Sequence, residues 1–129
     1  MKYLFVFLIF AFSNASAQTK NMMIRLSEIE IDSNYLEEYN SILQEESRAS
    51  VQLEAGVIAI YPMFQKENPT QIRILEIYAN REAYEEHLKT HHFQKYKSST
   101  LKMVKTLKLI DMVNIDSQTM IEIFRKIHN

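Results

Sequence analysis

The chain has 129 residues, 47% of them hydrophobic, a formal net charge of −1, one glycine, two prolines and no cysteine. The missing cysteine excludes disulfides and thiol chemistry. The near-neutral balance, with no basic block and no nucleic-acid motif, gives no electrostatic reason to expect a nucleic-acid partner; so few glycines and prolines exclude a flexible linker or low-complexity tail.

The first residues read apart from the rest. Lys2 is a positive n-region, Tyr3 to Phe12 is an apolar run too short to span a bilayer, and Ala15-Ser16-Ala17 is a small-residue cleavage site. Residues 1–17 are therefore expected to be a signal peptide, with the mature chain starting at Gln18. This predicts export: periplasmic in a two-membrane bacterium, secreted otherwise, with no membrane span after cleavage. No cysteine follows the run, so a lipid-modified N-terminus is not expected. Residues 18–129 leave 112 residues (129 − 17) for a single domain with one core, and loss of Lys2 takes the net charge from −1 to −2.

Met22 to Ile31 reads as a strand whose apolar phase changes near Ser27 and Glu28, as a bulge would cause. Asp32-Ser33-Asn34 is turn and cap chemistry. Tyr35 to Ala55 reads as a long helix with Leu36, Tyr39, Leu43, Ser50 and Leu53 on one side. Gly56 stands where a helix stops on a left-handed residue. Val57 to Gln65 and Gln71 to Tyr78 read as a hairpin around the turn Glu67-Asn68-Pro69-Thr70. Asn80 caps a helix with Ala83, Tyr84, His87 and Leu88 facing in. Thr90 caps the next, with Phe93, Tyr96, Thr100, Val104 and Leu107 facing in. Leu107 to Ile115 reads as the last strand, and Ser117 caps a tail helix with Met120, Ile123, Phe124 and Ile127 on one stripe. The order β-α-β-β-α-β predicts an α+β, ferredoxin-like fold, with helices on one face of an antiparallel sheet and one extra C-terminal helix.

Val57 to Phe64 is apolar on both faces, and Ile72 to Tyr78 nearly so. Helices of one protomer cover only one face of a four-stranded sheet. The other is expected to meet a second copy across a two-fold axis, giving a homodimer. The competing expectation is that the tail helix folds back over that face.

Three sequence pieces carry a family resemblance: Glu54-Ala55-Gly56 before the second strand, Glu76-Ile77-Tyr78, and the run through Ala83, His87, His92 and Phe93. In order and spacing they resemble the antibiotic biosynthesis monooxygenase family, over roughly Met22 to Ile115. The family often has proline where His91 stands. Its heme-degrading branch has Trp where His87 stands and an axial His where Lys97 stands; this chain lacks both, which argues against heme degradation. The resemblance implies a dimeric α+β barrel and, among quinol monooxygenase-like members, oxidation of quinols or polyphenols by O2 with no cofactor.

That chemistry needs a dry pocket, a base, and hydrogen bonds to the substrate anion. His87 on the inward helix face supplies the base, Glu76 would orient its ring, and His92 belongs to the same pattern. Tyr61, Tyr78, Tyr84 and Phe93 are candidates for stacking on an aromatic substrate, and Glu46 and Ser50 for the polar side of a cavity. His87 and His91 share the i, i+4 spacing of a helical metal pair, but a helix break at Thr90 spoils it and no metal site is expected. The alternative function is a non-catalytic module that holds a small apolar ligand in the same cavity.

Overall fold

The computed structural model describes residues 21–128. The expected signal peptide and its cleavage site lie outside them. Strand β1 spans Met23–Ile31, β2 Val57–Gln65, β3 Asn68–Tyr78 and β4 Val104–Met112. Helix α1 spans Leu36–Leu53, α2 Arg81–Leu88, α3 His91–Thr100 and α4 Ser117–His128. The four strands form one antiparallel sheet in the order β2-β3-β1-β4. This is the expected ferredoxin-like βαββαβ order with an added C-terminal helix.

Cross-strand partners share a face, so the register sorts the side chains. Arg25 lies opposite Glu76, Ser27 opposite Ile74 and Leu109, and Ile29 opposite Ile72 and Leu107. These residues face the helices. The core under α1 joins Ile29, Ile31, Tyr39, Leu43, Val57, Ile60, Ile72, Ile74, Tyr78 and Met103. The opposite face carries Ile24 against Ile77, and Leu26 against Leu75 and Ile110. It is apolar at this end, and its edge residues Tyr61, Met63 and Met112 are exposed; toward the other end it turns polar, with Glu28 opposite Arg73 and Lys108.

Several boundaries differ from expectation. The register of β1 is continuous through Ser27 and Glu28 and shifts only at Glu30/Ile31. The apolar phase changes because the inward positions Arg25 and Ser27 are polar, not because a residue is inserted. Strand β3 begins at Asn68, three residues early, so the turn is tighter. Strand β4 starts at Val104, not Leu107, because a 3-10 turn over Leu101–Met103 ends the preceding helix. That turn buries Met103, whose carbonyl accepts a 2.8 Å bond from the Asp32 N–H. Val104 and Leu107 are therefore strand residues. Leu53, expected inside, is exposed at the end of α1.

Gly56 is not in the left-handed region. A Cβ there would lie 2.5 Å from the Cβ of Ala83, so the glycine permits close approach of α2 to the end of α1. Helix α4 is capped by Asp116, which accepts from the Gln118 N–H at 3.1 Å, not by Ser117. None of its residues is buried. Ser117, Met120 and Ile121 on it are half-buried, and it packs only sparsely on any strand. No described helix is long and apolar enough to cross a membrane.

Candidate active site

A cavity of about 400 Å³ lies between the sheet and the helices. Its sheet wall is Arg25, Ser27 and Ile29 from β1, Ile60 from β2, Ile74, Glu76 and Tyr78 from β3, and Val104, Leu107 and Leu109 from β4. Its helix wall includes Leu43 and Glu46 from α1, Tyr84, His87 and Leu88 from α2, and Phe93, Tyr96 and Lys97 from α3. One end is polar and aromatic. The other is apolar and opens past Leu101, Leu107 and Leu109, which are at least half exposed.

His87 is fixed at the polar end by helix chemistry. Asn80 caps α2 by accepting from the Ala83 N–H at 2.8 Å. Thr90 closes the same helix by donating its hydroxyl to the His87 carbonyl at 2.7 Å, then caps α3 by accepting from the Phe93 N–H. The imidazole is only 2% exposed and packs against Phe93 and Tyr78, with ring centroids at 5.0 and 5.5 Å. Its Nδ1 lies 2.9 Å from Glu54 Oε2, and its Nε2 lies 3.5 Å from Glu46 Oε1, too long for a good hydrogen bond.

Three carboxylates surround this ring, each held differently. Glu46 is buried on α1 and accepts from the Ser50 hydroxyl at 2.9 Å. Burial raises its pKa; the Ser50 bond and the two histidines oppose that shift without cancelling it, and Glu76 adds to it. Glu76 accepts from the Ser27 hydroxyl and, at 2.6 Å, from the Tyr78 hydroxyl. Burial and the neighbouring Glu76 charge push the Tyr78 hydroxyl well above its ordinary range. Glu54, the C-cap of α1, also takes a 2.7 Å bond from His92 Nε2.

The expected site residues are thus partly gathered. His87, Glu76, Glu46, Tyr78, Tyr84 and Phe93 line one cavity. No hydrogen bond or ion pair joins Glu76 to His87 among the described residues; the carboxylate that orients the ring is Glu54, because Ser27 and Tyr78 already hold Glu76. His92 lies behind His87, reached through Glu54, and does not line the cavity. Ser50 is fully buried, does not line the cavity, and donates its hydroxyl to Glu46. Tyr61 points to the other side of the sheet edge; it is 63% exposed and borders a separate hollow of about 520 Å³ between α1 and β2. That hollow has no histidine or carboxylate in its lining, whereas the smaller cavity has His87, Glu46 and Glu76. His91 is exposed and begins a different helix from His87, so the two do not form a pair.

Arg25, Ser27 and Glu54 were not foreseen as site residues. Arg25 binds Asp111 through Nε and Nη2 at 3.1 and 3.0 Å and lies over the Tyr84 ring at 4.6 Å. The broken apolar phase of β1 was their signal for the first two. For Glu54 it was a carboxylate at a helix C-terminus, where the dipole disfavours it and another partner must be found. Glu54, His87 and His92 are also the one group of three His, Asp or Glu side chains among the described residues with donor atoms close enough to share a cation. Here those atoms are joined by hydrogen bonds, and no buried side-chain polar atom among the described residues lacks a partner.

Residues 22–99 match the family model described as antibiotic biosynthesis monooxygenase. The chain belongs to this family. A solved structure from Bacteroides thetaiotaomicron, provisionally named an antibiotic biosynthesis monooxygenase, is 49% identical, with a TM-score of 0.75 over 76% of this chain and 93% of that one. A provisionally named monooxygenase from Lactobacillus acidophilus is 30% identical, with a TM-score of 0.71 over 72% of this chain and 44% of that one. A protein from Nitrosomonas europaea keeps the fold at 14% identity, with a TM-score of 0.70 over 75% of this chain and 93% of that one. The chain has no significant match among curated proteins.

Proposed function

We propose that this family member is a monooxygenase that oxidises a quinol-like or polyphenolic aromatic with O2, the substrate supplying both electrons. The observation that supports it most is His87, a buried imidazole on a cavity wall with Nδ1 engaged by Glu54 and Nε2 on the cavity side beside Glu46.

His87 Nε2 takes the proton of a substrate hydroxyl. The resulting phenolate passes one electron to O2, giving a semiquinone radical and superoxide. These combine to form a C–O bond, the peroxide anion takes back the proton held by His87, and the hydroperoxide loses water, leaving one oxygen atom in the product. Hydroquinone plus O2 thus becomes hydroxyquinone plus water, with atoms and electrons balanced and no further reductant. Glu46, kept toward its neutral form by burial, would donate a hydrogen bond to the substrate oxygen where charge develops. Tyr78, Tyr84 and Phe93 supply aromatic surface for the ring, and the apolar walls keep water out.

The reading includes a homodimer joined through the apolar outer sheet face, and export directed by residues 1–17. Sequencing the secreted protein should then read Gln18 first.

Oxygen uptake with a panel of hydroquinones, without added flavin or metal, tests the activity. Uptake should occur with the parent protein and fall about 10²–10⁴-fold in His87→Ala with fold and assembly intact. No uptake with any hydroquinone would favour the alternative, a module that binds a small aromatic without reacting with it.

A further inference from the structure

We infer that Glu54 and His92, neither of which lines the cavity, decide which nitrogen of His87 carries its proton. This rests on His87 being the base, and it makes Glu54 a positioning residue and His92 the anchor of that residue.

One oxygen, Glu54 Oε2, receives both contacts: His87 Nδ1 at 2.9 Å and His92 Nε2 at 2.7 Å. An oxygen that accepts from two imidazoles needs a proton on each contacting nitrogen. His87 is thereby set with its proton on Nδ1 and its lone pair on Nε2, the nitrogen nearer Glu46. The other tautomer would present an N–H to the substrate hydroxyl and could not accept its proton.

His92 matters because Glu54 has little else to hold it. The carboxylate stands at the C-cap of α1, the wrong end of the helix dipole. Among the described residues no Lys or Arg pairs with it; its ion-pair partners are the two histidines. Three elements converge there: the end of α1, the last turn of α2 and the first turn of α3. Fixing the ring from behind leaves the cavity side free for substrate, which is what outer hydrogen bonds to a working histidine accomplish elsewhere in protein chemistry.

The test is ¹⁵N imidazole spectroscopy of the full histidine-labelled protein, together with steady-state kinetics. The parent should show His87 protonated at Nδ1 and His92 at Nε2. In Glu54→Ala the shared acceptor is gone from both rings, so the His87 proton should shift toward Nε2, the nitrogen that carries it in a free imidazole side chain. With that change kcat should fall about 10²–10⁴-fold with KM within a few-fold. Glu54→Asp should retain some Nδ1–H signal and recover part of kcat. His87 protonated at Nε2 in the parent, or an unmoved tautomer in Glu54→Ala, overturns the inference. So does loss of both N–H signals to a divalent cation seated on the three atoms. If Glu54→Ala does not fold, the parent spectrum alone decides. If the parent consumes no oxygen, the oxygenase reading falls, while the spectra still decide the tautomer.

Discussion

Gly56 and Ala83 set the distance between the end of α1 and the start of α2. A Cβ at position 56 would stand 2.5 Å from that of Ala83, closer than two carbons can approach. The Gly56 carbonyl also accepts the Ala79 N–H at 2.8 Å, tying the chain just ahead of α2 to the same spot. This approach lets Glu54, two residues before the glycine, meet His87 on the next helix.

Gly56→Ala should therefore destabilise the fold by about 1–3 kcal/mol, the cost of overpacking a closed contact. Urea denaturation should show a lower midpoint with an unchanged slope. Adding Ala83→Gly removes the colliding methyl and should restore part of the loss, beyond the small cost of glycine in a helix. A Gly56→Ala protein as stable as the parent would mean that the two segments slide apart freely, and that the glycine does not position the site.

The apolar outer face predicts an assembly. Leu75 lies in central strand β3, between Leu26 on one side and Tyr61 on the other. A lysine there would place a charge in the middle of any sheet-to-sheet contact, where desolvation costs several kcal/mol. The parent should run in light scattering at twice the protomer mass, and Leu75→Lys at the protomer mass with its circular dichroism preserved. A parent that remains a single protomer at micromolar concentration would rule the dimer out.

Element order was legible in the sequence because periodicity and caps are local. Asn80, Thr90 and Asp32 cap as side chains of their type should, and β2 runs over the residues that its apolar pattern marks. His87 was legible as an inward histidine on an amphipathic turn. Its partner was not. Glu76 is near His87 in sequence and reads as the natural orienting carboxylate, yet Ser27 from the neighbouring strand and Tyr78 hold it. Glu54 reaches the ring across 33 residues, because β2 and β3 return the chain to the end of α1. Contacts of that range depend on how sheet and helices stack, which local pattern does not encode. The start of β4 was missed for a related reason: Met103 is drawn into the core by a bond to Asp32, cutting short a helical pattern that the side chains alone would continue.

Glu46 should make stability depend on pH in a direction that can be worked out. Burial raises its folded-state pKa above its ordinary value of 4.5, opposed by the Ser50 hydroxyl and by His87 and His92 when these are protonated, and reinforced by Glu76. A group whose folded pKa is raised contributes stability that is fully present below the unfolded value. That contribution is lost as pH rises through the folded value, because ionisation is easier in the unfolded chain. Glu46→Gln removes the titration and keeps the shape. As pH rises from about 4.5 the variant should gain stability relative to the parent, by at most about 1.4 kcal/mol per pH unit for one proton, until the folded-state value is passed. Urea titrations of both proteins across that range, repeated with His87→Asn in each, separate the carboxyl from the imidazole facing it. A variant that loses ground as pH rises would show that the folded protein favours the ionised carboxylate, and Glu46 could then not serve as the neutral hydrogen-bond donor beside the substrate oxygen.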